Sequence, residues 1–105
     1  MLIITDQHRW DTLGVNGNSV CQTPNLEALA NSGINFTNAY TSCAVCTPAR
    51  ASIYTGLMPH NHGVVRSEKR RSFASGVLTV AERLNALGYQ CGLEGKWHAG
   101  CDLYL

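Results

Sequence analysis

The sequence predicts an α/β chain with a mainly parallel sheet flanked by helices. Three observations carry the prediction. Short apolar runs alternate with helix signals in the order strand, helix, strand, helix, helix, strand, the order from which parallel sheets are assembled. Two helix starts pair threonine with proline, at Thr23-Pro24 and Thr47-Pro48. Proline suits the first helical turn because the N–H it lacks would have no intrahelical partner there. Finally, residues able to do chemistry follow each apolar run, the edge at which parallel sheets bind ligands. Asp6 and Gln7 follow the first, Cys46 follows the second after a short loop, and Lys96 and His98 follow the third.

Taken in order, residues 1–5, MLIIT, read as a buried strand that stops at Asp6. GVNGN, 14–18, is a turn-rich loop. The first helix has Thr23 as N-cap, Pro24 as its first residue and Gly33 just past its end, with Leu26, Leu29 and Ala30 as the buried stripe. INFTNAY, 34–40, alternates apolar and polar residues and reads as the second strand. The second helix is expected to start at Thr47-Pro48, with Thr47 as N-cap, and to stop at Gly56. LMPHNHGVV, 57–65, reads as a loop, and the chain stays irregular to Gly76. TVAE, 79–82, is a capping box that opens a helix with Val80, Leu84 and Leu87 on one face and Gly88 after its end. YQCGLEG, 89–95, is the third strand. No repeat, low-complexity tract or linker divides the 105 residues, which suffice for one small domain.

Hydrophobic residues make up 45% and charged residues 14% of the chain, the balance of an ordinary globular protein. A net charge of +1 gives no electrostatic reason to expect nucleic acid or an acidic membrane as partner. The one basic run, RSEKRR at 66–71, reads as a solvated loop, with contact to an anion as the lesser alternative. No apolar stretch reaches the roughly 18 residues of a membrane span, and no signal-peptide pattern is visible. The default compartment is therefore cytoplasmic. Met1 opens directly onto an apolar run and the chain stops on DLYL without a cap, so the expectation is a piece of a longer protein, whose upstream part could hold a leader. Five cysteines, an odd number without a secretion signal, argue against a complete disulfide framework. Cys21, Cys91 and Cys101 read as small, partly buried thiols.

The chemistry concentrates in SCAVCTPARASIYTG, 42–56. Cys43 and Cys46 form a C-x-x-C pair, which elsewhere marks thiol–disulfide or zinc sites, and His60 and His62 could complete four zinc ligands. No second C-x-x-C accompanies it, and H-x-H is not the usual zinc spacing. Cys46 read together with Thr47, Pro48 and Arg50 is a different proposition. A group at the positive end of a helix, with Arg50 one turn in and reaching back, makes an oxyanion site. Asp6 and Gln7 offer hard oxygens suited to Ca²⁺ or Mg²⁺, or Asp6 simply caps a turn. Lys96 and His98 alternate with Trp97, so both can face one crevice for anion binding and proton transfer, or they are a snorkelling lysine and a satisfied histidine.

TDQHRWD, TPNLEALANSGINFTNAY, CTPARASIYTGLMPHNHGV and GYQCGLEGKWHAG, in this order and spacing, closely resemble the N-terminal part of the sulfatase family, within the alkaline-phosphatase-like superfamily of α/β hydrolases. The resemblance runs from Leu2 to about Gly100. It implies that a maturation enzyme oxidises Cys46 to formylglycine, whose hydrate attacks the sulfur of a sulfate ester. Pro48 and Arg50 then belong to the modification motif with Cys46, and Arg50 afterwards holds the modified side chain. Asp6 and Gln7 match ligands of a divalent cation, usually calcium, that Cys46 in its modified form also meets. Lys96 matches a residue bridging formylglycine and sulfate, and His98 one that hydrogen-bonds formylglycine. His60 and His62 fall in the family's PHxHG loop and read as structural.

Two positions depart from the common pattern. Gln7 stands where many sulfatases carry a second aspartate, a form seen in branches that include phosphonate monoester and phosphodiester hydrolases. Ala49 replaces a common serine. Further metal ligands and a second lysine come from a later segment in the family, so residues 1–105 are expected to be the incomplete N-terminal part of one catalytic domain, inactive alone. A phosphonate monoester or phosphodiester hydrolase is the rival within the superfamily, and a small C-x-x-C zinc or redox module the rival outside it.

Overall fold

The computed structural model describes residues 1–67 and 72–100. Most of the basic run, 68–71, and Cys101 therefore lie outside the described residues. The chain divides into two units, Met1–Ala39 and Tyr40–Leu105.

In the first unit, two 3₁₀ turns, Trp10–Thr12 and Gly14–Asn16, precede helix α1, Pro24–Ser32. Thr23 and Gly33 flank α1 as the sequence predicts, but Thr23 makes no side-chain cap bond. Its hydroxyl instead accepts from the Gly14 amide at 2.9 Å and donates to Glu27 at 3.1 Å. This ties the turn to the first turn of the helix. A Cβ at Gly14 would meet the Glu27 carboxylate, so a larger residue there would push that carboxylate from its present place. Asn18 closes the intervening loop by donating to the Asp11 carbonyl and accepting from the amides of Val20 and Cys21. Arg9 and Asp11 form an exposed ion pair, worth little to stability. The stripe expected to be buried is not: Leu26 and Leu29 are exposed and no α1 residue is buried.

The three expected strands also require correction. Among the described residues, 1–5, 34–40 and 89–95 form no strand, and Ile3, Phe36 and Tyr89 are exposed. The physical reason is that a helix closes its hydrogen bonds within itself, whereas a strand exists only against a partner. These runs do not pair with one another, so the expected parallel sheet is absent from the described residues while the expected helices are present.

The second unit holds α2, Cys46–Thr55; α3, Pro59–His62; and α4, Val80–Ala86. Helix α2 ends at Gly56, whose left-handed backbone (φ 71°) lets its amide bond the Ser52 carbonyl at 2.8 Å. It begins two residues earlier than expected, with Val45 rather than Thr47 as N-cap. The Thr47-Pro48 step is inside the first turn, where proline's missing donor still costs nothing. The PHNH segment, read as loop, is one helical turn between Pro59 and a left-handed Gly63.

Ala51, Tyr54, Val64 and Ala99 form the small apolar core around α2. Trp97 stacks on Tyr54, with centroids 4.7 Å apart and planes at 18°, and meets Phe73 edge-on. His62 is fully buried. The Val64 amide donates to its Nδ1 at 3.1 Å, so the neutral ring carries its proton on Nε2 and donates to Ser52 Oγ at 3.0 Å. Burial holds His62 below the usual imidazole range. The structural reading of His62 fits this geometry, whereas His60 is exposed.

Helix α4 realises the capping box. Thr79 Oγ1 accepts from the Glu82 amide at 3.2 Å, while the Glu82 carboxylate accepts from the Thr79 amide and hydroxyl at 2.6 and 2.7 Å. Those two bonds, the amide's first, hold Glu82 below the ordinary carboxylate range. Val80 and Leu87 are exposed, so only Leu84 of the expected face is half-buried. Replacing Thr79 by alanine is expected to cost about 1 kcal/mol, read by urea denaturation. Because Glu82 titrates lower folded than unfolded, its contribution is complete above the unfolded value of 4.5 and is lost as pH falls through the folded one. The gap between Thr79→Ala and wild type should therefore narrow in acid. A gap that widens there would contradict the capping role.

Candidate active site

Helix α2 makes the site by its own geometry. Cys46 is its first residue and Arg50 stands four residues on, so the two share one face and the arginine leans back toward the N-terminus. Arg50 Nε donates to Cys46 Sγ at 3.2 Å, and Nη1 donates to the Lys96 carbonyl at 2.8 Å. Arg50 as a whole is 6% exposed. Its pKa is raised further, first by the bond to Cys46, against the opposing cost of burial. One buried side chain thus joins the start of α2 to the segment carrying Lys96 and His98.

His98 arrives from the other side. Its Nδ1 lies 3.4 Å from Cys46 Sγ and its Nε2 3.2 Å from Thr47 Oγ1. It is the one non-glycine residue with positive φ among the described residues, at 45°, a region histidine visits more readily than most residues. This bend departs from the strand-like alternation expected at 96–98. The sorting of side chains survives in part: Trp97 packs inward on Tyr54 while Lys96 and His98 are exposed.

The structure therefore brings together Cys46, Arg50, His98 and, through its backbone, Lys96. It adds Thr47, which sequence reasoning took only for a helix cap. Thr47 is buried and its hydroxyl also contacts Ser67 Oγ at 3.0 Å. The available signal was the position of Thr47 beside Cys46, but cap preference explained the residue without a second role. Pro48 is fully buried beneath the same turn.

The two cysteines of the C-x-x-C pair make separate sets of bonds. Cys43 precedes the helix, and its sulfur accepts from the Val45 amide at 3.5 Å while its carbonyl accepts from the Thr41 hydroxyl. Both cysteines are free thiols, and Cys21 and Cys91 are free as well. Among the described residues no three His, Cys, Asp or Glu side chains form a group able to hold a metal. Asp6 and Gln7 belong to the first unit, where both are exposed and the Asp6 carbonyl accepts from the His8 amide at 2.8 Å. Their hard oxygens fit a calcium or magnesium ion in kind, but two donors are fewer than the six to eight oxygens calcium takes.

Chemically, the α2 corner offers an atom at position 46 two nitrogen neighbours and the positive end of a ten-residue helix. A preorganised donor such as Arg50 Nε stabilises a developing oxyanion.

The sequence model of the family described as Sulfatase matches residues 1–102. An arylsulfatase of Clostridium perfringens is 44% identical over 98 residues, 93% of this chain and 20% of the relative. Human arylsulfatase A is 39% identical over 104 residues, 95% of this chain and 20% of the relative. An N-acetylglucosamine-6-O-sulfatase of Bacteroides thetaiotaomicron is 35% identical over 98 residues, 93% of this chain and 17% of the relative. The chain spans about a fifth of the length of these curated relatives. No solved structure matches it.

Proposed function

The chain belongs to the sulfatase family, and from that premise we propose that residues 1–105 are the N-terminal part of a sulfatase catalytic domain whose nucleophile derives from Cys46. The family acts on sulfate esters, and the relatives' names range from arylsulfatase to N-acetylglucosamine-6-O-sulfatase. The proposal accordingly commits to the sulfate ester and to no particular alcohol. The alkaline-phosphatase-like fold comes with the family, and the runs 1–5, 34–40 and 89–95 would find their strand partners in the rest of the domain.

The observation that carries the reading is the convergence of Arg50 and His98 on Cys46 Sγ, at 3.2 and 3.4 Å. A maturation enzyme would oxidise Cys46 to formylglycine, with Pro48 and Arg50 in its recognition motif. The hydrated aldehyde supplies the attacking hydroxyl. Arg50 orients that side chain and opposes its developing negative charge, anchored by the Lys96 carbonyl. His98 sits where a hydroxyl proton would be taken, and the exposed Lys96 side chain would bind the sulfate group. Asp6 and Gln7, with the modified residue 46, would hold part of the shell of a calcium or other divalent ion, which supplies positive charge against the sulfate oxygens. Gln7 in place of a second aspartate keeps one further reading in view, phosphonate monoester or phosphodiester hydrolysis at the same site. Relative rates of the full-length protein on an aryl sulfate and a phenyl phosphonate separate the two.

The deciding experiment is mass spectrometry of the tryptic peptide Trp10 to Arg50 from full-length protein made with a maturation enzyme. The expected product carries an aldehyde at Cys46 and thiols at Cys21 and Cys43. An unmodified thiol at Cys46 in hydrolytically active protein would overturn the reading.

A further inference from the structure

Four polar groups stand in single file at the start of α2. Ser67 Oγ lies 3.0 Å from Thr47 Oγ1, Thr47 Oγ1 lies 3.2 Å from His98 Nε2, and His98 Nδ1 lies 3.4 Å from Cys46 Sγ. Thr47 is buried, at 3% exposure, and Ser67 is exposed.

Counting protons gives the file a direction. Cys46 Sγ already accepts from Arg50 Nε, and a guanidinium only donates. Of the two described side chains bonded to this sulfur, His98, through Nδ1, is the one that can accept the thiol proton. The neutral ring then carries its own proton on Nε2 and donates to Thr47 Oγ1. Thr47 has one hydroxyl proton, which passes on to Ser67 Oγ, and Ser67 turns its proton to solvent. The reverse order would aim Nδ1–H and Arg50 Nε–H at the same sulfur and leave the thiol proton without an acceptor.

We propose that Thr47 is a positioning residue which, with Ser67 behind it, holds His98 in the Nε2–H tautomer and keeps an unprotonated Nδ1 facing the side chain at position 46. The left-handed backbone at His98 (φ 45°) is the conformation in which both ring nitrogens reach α2, and strain of this kind persists where surrounding contacts fix it. Thr47 thereby decides whether the group at position 46 meets a base or a second donor. The catalytic meaning of this rests on Cys46 being the precursor of the nucleophile, whereas the tautomer itself does not.

The test is ¹⁵N NMR of the His98 ring in the full-length protein, made without a maturation enzyme so that Cys46 stays a thiol, with the imidazole neutral. The Glu82 amide in its capping box serves as the fold marker. Wild type and Thr47→Ser are expected to show one tautomer, with Nδ1 unprotonated. Thr47→Val and Ser67→Ala are expected to show a mixture of both tautomers. Wild type carrying its proton on Nδ1 would overturn the proposal, as would a folded Thr47→Val with the single wild-type tautomer. Should Thr47→Val lose the Glu82 marker, Ser67→Ala decides: a mixture supports the chain of bonds, and an unchanged single tautomer overturns it. Absence of aldehyde at Cys46 in the mass spectrum would end the catalytic reading and leave these outcomes unaltered.

Discussion

Alanine at position 46 is expected to abolish sulfate-ester hydrolysis by the full-length protein, whereas alanine at position 43 should leave it nearly untouched. The two cysteines are three residues apart, but their surroundings differ in kind. Cys46 starts α2 and is bonded to Arg50 and His98. Among the described residues, Cys43 bonds only within its own loop. Removing a nucleophile that works together with its partners costs about 10⁴-fold or more in kcat. A loop substitution away from buried features stays within about 0.5 kcal/mol. The measurement is kcat on an aryl sulfate for both variants, alongside the wild type's aldehyde content. Equal losses in the two variants would favour the paired-cysteine module instead, since a zinc or disulfide site needs both thiols.

Arg50 should prove the costliest position in α2 for stability and, after Cys46, for turnover. The residue is almost wholly buried and its guanidinium bonds two separate elements, the Cys46 sulfur and the Lys96 carbonyl. Arg50→Ala leaves that carbonyl without its donor. A hydrogen bond to a charged group contributes about 1.5–3 kcal/mol, and the aliphatic stem adds packing that is lost with it. Turnover should fall by about 10²–10³, as for loss of one oxyanion donor. Arg50→Lys is the informative companion. Lysine keeps the charge but lacks the planar fork that reaches in two directions, so most of both losses should remain. Urea denaturation and kcat of the two variants provide the check. Full recovery by lysine would mean that charge alone matters and that the bridge to residue 96 does not.

What the sequence made legible was local. Thr23-Pro24 with Gly33, and the TVAE box, announce α1 and α4 because caps act within a few residues. The CTPAR run announces the Cys46–Arg50 face because helical spacing fixes it. The approach of Lys96 and His98 to α2 was legible only through the expectation of a shared sheet edge and through the family resemblance. Periodicity says nothing about contacts between residues 51 or 52 positions apart. The expected strands do not form among the described residues for the same reason. The apolar run at 1–5 and the alternation at 34–40 report surfaces that want covering, and among the described residues nothing pairs with them. Thr47 was assigned one role because a threonine before proline has a sufficient local explanation, and its bond to His98 depends on the left-handed turn that no pattern announced.

The stacking of Trp97 on Tyr54 has an optical consequence. The chain has two tryptophans, one in each unit. Trp10 is 71% exposed and emits as a hydrated indole. Trp97 has its indole nitrogen buried without a hydrogen-bond partner among the described residues, and lies between Lys96 and His98 in the chain. Its emission belongs at the blue edge, sheltered from aqueous quenchers such as iodide. The chain thus carries a built-in fluorophore in the same unit as the Cys46 corner, and the assembly of that unit can be followed by light alone, in the absence of substrate, metal or turnover.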